Sequence, residues 1–211
     1  MFILASNSPR RRDLLRKAGF EFEVSPSGVD EGTPGPQDLP EEFARRAARM
    51  KALSIAAKSP AGNLVLGADT IVSIDGLILG KPAGPLDATR MLRLLSGRTH
   101  QVITALCLVK APAEIQTLTH ETTFVTFAEL SEEEIRAYVA SREPYDKAGA
   151  YAIQGLASKF VTRISGCYSN VVGLPLALLR EILQGVAEPG RTRSPRSGKQ
   201  PGTADSSPRS E

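Results

Sequence analysis

The stretch Leu64-Val-Leu-Gly-Ala-Asp-Thr-Ile-Val-Ser-Ile-Asp-Gly-Leu-Ile-Leu79 carries the pattern that decides the fold class. Leu64 to Ala68 is an apolar run of strand length, too short for a buried helix. Ile71 to Ile74 and Leu77 to Leu79 are β-rich segments around Asp75-Gly76, a pair that suits the two-residue turn of a tight hairpin. Asp69 falls between the first run and the hairpin, at the predicted strand end.

Working outward, Phe2 to Leu4 reads as a short buried strand, and Ser8-Pro9 opens a helix, with Ser as N-cap, Pro in the first turn, Leu14 and Leu15 facing inward and Gly19 as the stop. Glu21 to Ser25 alternates as a strand. After a Pro/Gly-rich loop, Asp38 and Glu41 have capping-box spacing for a helix to about Lys58, with Phe43, Ala47, Met50 and Leu53 on its apolar side. Downstream, a helix is predicted over Leu86 to Leu95, strands over Thr99 to Val109 and Ile115 to Phe127, and a helix capped by Ser131 and Glu134 through Ala140. A strand near Phe160 to Ile164 and a helix near Leu174 to Leu183 follow. Strands and helices mix without strict β-α alternation. The expected class is α/β with a mixed sheet rather than a doubly wound parallel one.

The chain has 211 residues, 41% hydrophobic and 23% charged, an ordinary globular composition. No apolar run reaches the roughly 18 residues of a membrane span, and the N-terminus lacks a secretory-signal plan. The expectation is a cytoplasmic protein with no membrane partner. Cys107 and Cys167 fit neither a disulfide framework nor paired metal-ligand spacing. Of the formal net charge of +3, the segment Glu188 to Glu211 supplies +2 through five Lys/Arg against three Asp/Glu. With aromatics at 5% and no Trp, no basic stacking surface for nucleic acid is evident. That segment is Pro, Gly, Ser and charge without an apolar anchor, so the domain is set at residues 1–187 and residues 188–211 are expected to be a disordered tail.

Chemistry is expected where oxygen ligands and cations gather. The loop Ala5-Ser6-Asn7-Ser8-Pro9-Arg10-Arg11-Arg12 joins strand to helix, and unpaired N–H groups at a helix N-terminus beside Ser and Arg suit an anion such as a triphosphate. Gly67-Ala68-Asp69-Thr70 puts a carboxylate at a strand end behind small residues. Gly80-Lys81-Pro82 stiffens a lysine, while Glu31, Lys51 and Asp146-Lys147 add carboxylates and cations of the kind phosphoanhydride hydrolysis requires. His100 and His120 fall in strands at unrelated spacing and are read as structural.

Taken in order, the segments L-A-S-x-S-P-R-R, G-A-D-T, G-K-P, L-S-G-R-T-H, E-P-x-D-K-A-G-A-Y-x-I-Q-G and N-V-V-G-L-P resemble the Maf (septum-formation-like) nucleotide pyrophosphatases over about residues 2–185. The resemblance implies an elongated mixed sheet flanked by helices, in two lobes around a cleft, similar to the inosine triphosphate pyrophosphatase fold, as a homodimer. It also implies Mg2+- or Mn2+-assisted cleavage between the α and β phosphates of a nucleoside triphosphate. By motif position, Asp69 is the proton acceptor, Arg11, Glu31, Lys51 and Lys81 match the other activity positions, and Ser6 and Ser8 hold phosphate. Family branches prefer either dTTP and UTP or 7-methyl-GTP, and Arg10, Thr70 and Gln154 match the pyrimidine branch. Which carboxylate binds metal is left open, and a non-catalytic regulator of septum formation is the alternative outside enzymes.

Overall fold

The computed structural model describes residues 1–35 and 37–187; the predicted tail lies outside the described residues. Its strands are β1 (Phe2–Leu4), β2 (Phe22–Val24), β3 (Leu64–Ile74), β4 (Leu77–Leu79), β5 (Thr99–Lys110), β6 (Glu114–Phe127) and β7 (Val161–Ser165). Its helices are α1 (Pro9–Lys17), α2 (Pro40–Ala56), α3 (Pro85–Leu95), α4 (Glu132–Ala140), α5 (Tyr168–Val172) and α6 (Leu176–Ala187). The strands form one mixed sheet in the order β2-β1-β3-β5-β6-β7, with β4 also paired to β3. β1 runs parallel to both β2 and β3, and the remaining pairings are antiparallel. The expected mixed α/β sheet is therefore present.

β3 is one strand, not two runs broken at Asp69. Residues Leu64 to Ser73 pair continuously with β5, so Asp69 lies mid-strand opposite Ala105. Continuous cross-strand hydrogen bonding outweighs the local interruption that a charged residue makes in an apolar run. On the opposite edge, β1 matches β3 only at Val65 and Leu66, and β4 joins it only from Val72. Between these two partners, Gly67 to Ile71 has no strand neighbour on that side among the described residues. This gap divides the fold and becomes the floor of a cleft.

Three clusters of buried side chains hold the two sides of the gap. One groups β1, α1 and α6 through Phe2, Leu4, Leu15, Leu66, Leu174 and Leu179. A second lies under α2, where Phe43, Ala44, Ala48, Ala52 and Ile55 meet Val65, Ile103 and Cys107. The third packs α3 and α4 on the far half of the sheet, with Leu92, Leu95, Phe127, Ile135 and Phe160. At about 25 cal/mol per Å² of apolar surface, burial on this scale is the main stabilising contribution in each half.

Local signals behave unevenly. Ser8 caps α1 by accepting from the Arg11 amide, with Pro9 at the first position. Ser131 and Glu134 form the reciprocal capping box of α4. The box expected at Asp38 and Glu41 does not form: the N-cap of α2 is Leu39, and the Asp38 carboxylate instead accepts from the Gly35 amide and the Arg46 guanidinium. A charge-assisted pair with Arg46 takes the carboxylate away from the helix end. The Asp75-Gly76 turn is as expected, both residues having positive φ. α5 is absent from the sequence reading, because one and a half turns are too short to show a helical period.

Candidate active site

The gap in the sheet edge opens into a cavity of about 660 Å³, lined by the β1–α1 loop, the Ser27–Pro34 loop, β3, Gly80-Lys81 and the segment Asp146–Gln154. All ten sequence-predicted site residues line it: Ser6, Ser8, Arg10, Arg11, Glu31, Lys51, Asp69, Thr70, Lys81 and Gln154. They divide into a packed inner group and an exposed rim.

The inner group depends on how closely α2 approaches β3. A Cβ built on Gly67 would lie 2.1 Å from the Ala48 carbonyl oxygen and 2.7 Å from the Ala52 nitrogen, so only glycine admits the helix there. Ala48 and Ala52 complete a surface of small side chains. One turn along that face, Lys51 is delivered to Asp69. The lysine Nζ lies 2.7 Å from Asp69 Oδ1 and 2.5 Å from Glu31 Oε1, bridging two carboxylates. Asp69 is 5% exposed and Lys51 8%, whereas the Glu31 side chain is 40% exposed on its loop. Asp69 Oδ2 is buried without a hydrogen-bond partner among the described residues. One carboxylate oxygen is thus fixed and the other is unengaged.

On the opposite face of β3, Arg11 reaches in from the first turn of α1 and is 7% exposed. Its Nε donates to the Gly173 carbonyl at 2.8 Å, Nη1 to Ser6 Oγ at 3.0 Å and Nη2 to Thr70 Oγ1 at 2.9 Å. Burial lowers its pKa from the ordinary guanidinium value, while the charges of Asp69 and Glu31 oppose that shift. A buried cation is tolerated when its donors are satisfied and opposite charge is near. Ser6 Oγ also accepts from the Ser8 amide, which shapes the loop at the helix N-terminus. Thr70, expected at the substrate, has its hydroxyl engaged by Arg11.

The rim is looser. Lys81 and Gln154 are exposed. Arg10 stands 3.7 Å from Asp146, which also pairs with Lys147 at 2.5 Å. Burial raises the Asp146 pKa, but the hydrogen bond and charge of Lys147 and the charge of Arg10 lower it more, and the net shift is downward. Behind the rim, Tyr151 lines the cleft and its hydroxyl meets His100 Nε2 at 2.8 Å. Burial pushes the His100 pKa down to about 4 and pushes the Tyr151 hydroxyl up, so the pair is neutral. His100 is structural, as its strand position suggested. Tyr151 was missed: only its place inside the Y-x-I-Q-G segment could have marked it.

A cleft lined by a buried, lysine-held carboxylate and by the Ser- and Arg-bearing N-terminus of α1 is chemically suited to a phosphorylated ligand. The Maf-like protein family model matches residues 1–186, and the chain belongs to that family. It is 48% identical over 186 residues to the dTTP/UTP pyrophosphatase of Ruminiclostridium cellulolyticum, covering 88% of this chain and 96% of that protein. It is 52% identical over 182 residues to the dTTP/UTP pyrophosphatase of Koribacter versatilis, covering 86% and 92%. Among solved structures, a nucleoside-triphosphatase, dITP/XTP pyrophosphatase, from Mycobacterium abscessus aligns with 90% of this chain and 99% of its own at 16% identity and a TM-score of 0.41. That likeness is too slight to add to what the strand order says of the fold.

Proposed function

We propose that this chain hydrolyses dTTP and UTP to the nucleoside monophosphate and pyrophosphate, with Asp69 as the base. The observation that carries the reading is Asp69 itself: buried on the cleft floor, its Oδ1 held by Lys51 and its Oδ2 unpaired. A carboxylate so fixed is oriented to take a proton from water, a step that typically contributes 10² to 10⁴ in rate. The relatives named dTTP/UTP pyrophosphatase support the substrate and reaction.

In this reading the triphosphate lies against the β1–α1 loop, where Ser6, Ser8 and the α1 amides donate to phosphate oxygens and Arg11 and Lys81 offset their charge. Water attacks the α phosphorus, its proton passes to Asp69 Oδ2, and the bond to the bridging oxygen breaks to release pyrophosphate. Gln154 on the rim takes the base: an amide both donates and accepts, as the O4 and N3–H edge of thymine and uracil requires. Arg10 supports the same rim through Asp146.

The reading includes Mg2+ or Mn2+. Among the described residues, no group of three or more His, Cys, Asp and Glu is gathered as a cage. Glu31 nevertheless fits a hard cation, which commonly takes one or two carboxylates and completes its sphere with phosphate oxygens and water. With Asp69 Oδ1 on Lys51 and Oδ2 taking the proton, Glu31 would hold it, and the ion would supply neutralisation of phosphate charge. Lys51, already bridging both carboxylates, keeps them convergent. We further read the protein as cytoplasmic and homodimeric in nucleotide-pool cleansing. The two free thiols among the described residues suit a reducing compartment, and sedimentation tests the dimer.

The deciding experiment is a panel of common ribo- and deoxyribonucleoside triphosphates, with pyrophosphate and orthophosphate release both measured, with and without EDTA. dTTP and UTP should give pyrophosphate, chelation should abolish turnover, and added Mg2+ or Mn2+ should restore it. A preference for a purine, orthophosphate as product, or full activity in excess EDTA would contradict the corresponding part.

A further inference from the structure

Thr104 is fully buried in β5, does not line the cleft, and stands directly across the sheet from Thr70. Its Oγ1 lies 2.9 Å from Thr70 Oγ1 and 3.1 Å from the main-chain oxygen of Asn170 in α5. A hydroxyl has one proton to give. The Asn170 carbonyl can only accept, so Thr104 donates there and must accept from Thr70. With its proton committed to Thr104, Thr70 turns a lone pair to Arg11 Nη2, 2.9 Å away. Among the described residues, the other acceptor within reach of the Thr70 proton is the Gly173 carbonyl, at 3.4 Å, which already receives Arg11 Nε at 2.8 Å. The donors therefore run one way: Arg11 to Thr70 to Thr104 to Asn170.

The far end of this line is fixed. The Asn170 side chain is fully buried, and its Nδ2 donates to the Val102 carbonyl on β5 and to Thr123 Oγ1 on β6, each at 2.9 Å. Thr123 Oγ1 in turn donates to the Cys167 carbonyl and accepts from the Cys167 amide at the start of α5. The short helix is thus bound to the sheet by side chains at positions where its own length would give little stability. Its C-cap residue, Gly173, presents the carbonyl that receives Arg11 Nε.

We propose that Thr104 is a positioning residue for Arg11, setting the guanidinium's aim through the Thr70 hydroxyl without touching substrate. The inference rests on the reading of Arg11 as a phosphate-binding group. It also assigns Thr70 a different task from base recognition: its hydroxyl proton is spent within the protein. Chains of aligned donors polarise one another, so the loss of an inner member weakens the outer bond. Without the Thr104 hydroxyl, the Thr70 proton is free to turn, and Arg11 loses an acceptor of fixed direction.

The test compares wild type, Thr104→Val and Thr104→Ser in three measurements: dTTP turnover, calorimetric binding of inorganic pyrophosphate in Mg2+ buffer, and thermal melting. Valine keeps the shape and β-branching and removes the hydroxyl, while serine keeps the hydroxyl. Thr104→Val should lower kcat/KM for dTTP and pyrophosphate affinity together by about three- to tenfold, the larger figure corresponding to about 1.4 kcal/mol. Thr104→Ser should return both to within about twofold of wild type. Equal impairment in the two variants, or a Val variant with altered melting but wild-type pyrophosphate affinity, would overturn the inference and leave Thr104 a packing residue. A wild type that binds pyrophosphate but does not cleave dTTP would overturn the proposed function instead, and the affinity comparison would still decide the role of Thr104.

Discussion

The two sides of the cleft are built on different terms. On the inner side, Asp69, Lys51 and Arg11 are each less than a tenth exposed and hold one another through strands and helices packed on small residues. On the rim, Lys81, Asp146 and Gln154 are exposed; Lys81 sits in the loop after β4, and the segment carrying Asp146 and Gln154 is built from short 3-10 turns. On the proposed reading, the difference gives precision to the reacting phosphates and adaptability to the nucleoside. Charge that must be aimed before substrate arrives has to be held by tertiary packing, since exposed ion pairs are individually worth little.

Two glycines make the comparison testable. Gly67→Val places side-chain atoms against the backbone of α2, which cannot yield without carrying Lys51 away from Asp69. Overpacking of this kind costs typically 1 to 3 kcal/mol and here more, because backbone must move. Turnover should fall to near background, with a depressed urea midpoint. Gly155 is the rim counterpart: a Cβ there would meet the Glu143 carboxylate at 2.1 Å, the far end of a flexible side chain. That carboxylate accepts from Tyr138 OH and from the Leu156 amide, anchoring the turn that carries Gln154. Gly155→Ala is placed last in the series below.

The second effect concerns the root of the rim. His100 is buried with its pKa pushed down to about 4 from 6.5. Because the folded value is depressed, the unfolded chain binds more protons between these limits. Stability is whole above about pH 6.5 and falls as pH drops towards about 4, by roughly 3 kcal/mol at about 1.4 kcal/mol per unit. Half-buried His120, also shifted down, contributes in the same direction. Urea midpoints at pH 7 and 4.5 should differ less in His100→Gln than in wild type, and identical pH slopes would remove His100 as the cause.

Third, Gln154→Ala should cut kcat/KM for dTTP and UTP by about one to two orders of magnitude, the equivalent of leaving base groups unpaired at roughly 1 to 3 kcal/mol. Slow cleavage of poor substrates such as CTP should change much less. Equal losses on every nucleotide would make Gln154 a phosphate-side or structural residue. Smallest is Gly155→Ala, where movement of Glu143 relieves the clash. A several-fold loss confined to dTTP and UTP is expected, and a collapse matching that of Gly67→Val would erase the contrast between the two sides.

Much of this arrangement was legible in the sequence, and the parts that were not share a cause. The Ser8 cap, the Ser131 box and the Asp75-Gly76 turn are local, so residues a few positions apart announce them. Candidate residues converge because motif order encodes the cleft even where each motif alone is unremarkable. Three things depended on distant partners. β3 runs through Asp69 because β5 pairs with it there. Asp38 leaves the helix end because Arg46 draws it. Thr104 and Asn170 matter only through hydrogen bonds spanning dozens of residues, and no spacing in the chain signals them.

The central claim is that the buried, lysine-held carboxylate of Asp69 drives the reaction, and single-turnover cleavage of dTTP by Asp69→Asn tests it most directly. The variant should bind dTTP with near wild-type affinity yet form dTMP and pyrophosphate at least about a hundredfold more slowly, since the amide cannot take the proton from water. A cleavage rate within a few-fold of wild type would contradict the claim and move the base elsewhere in the cleft.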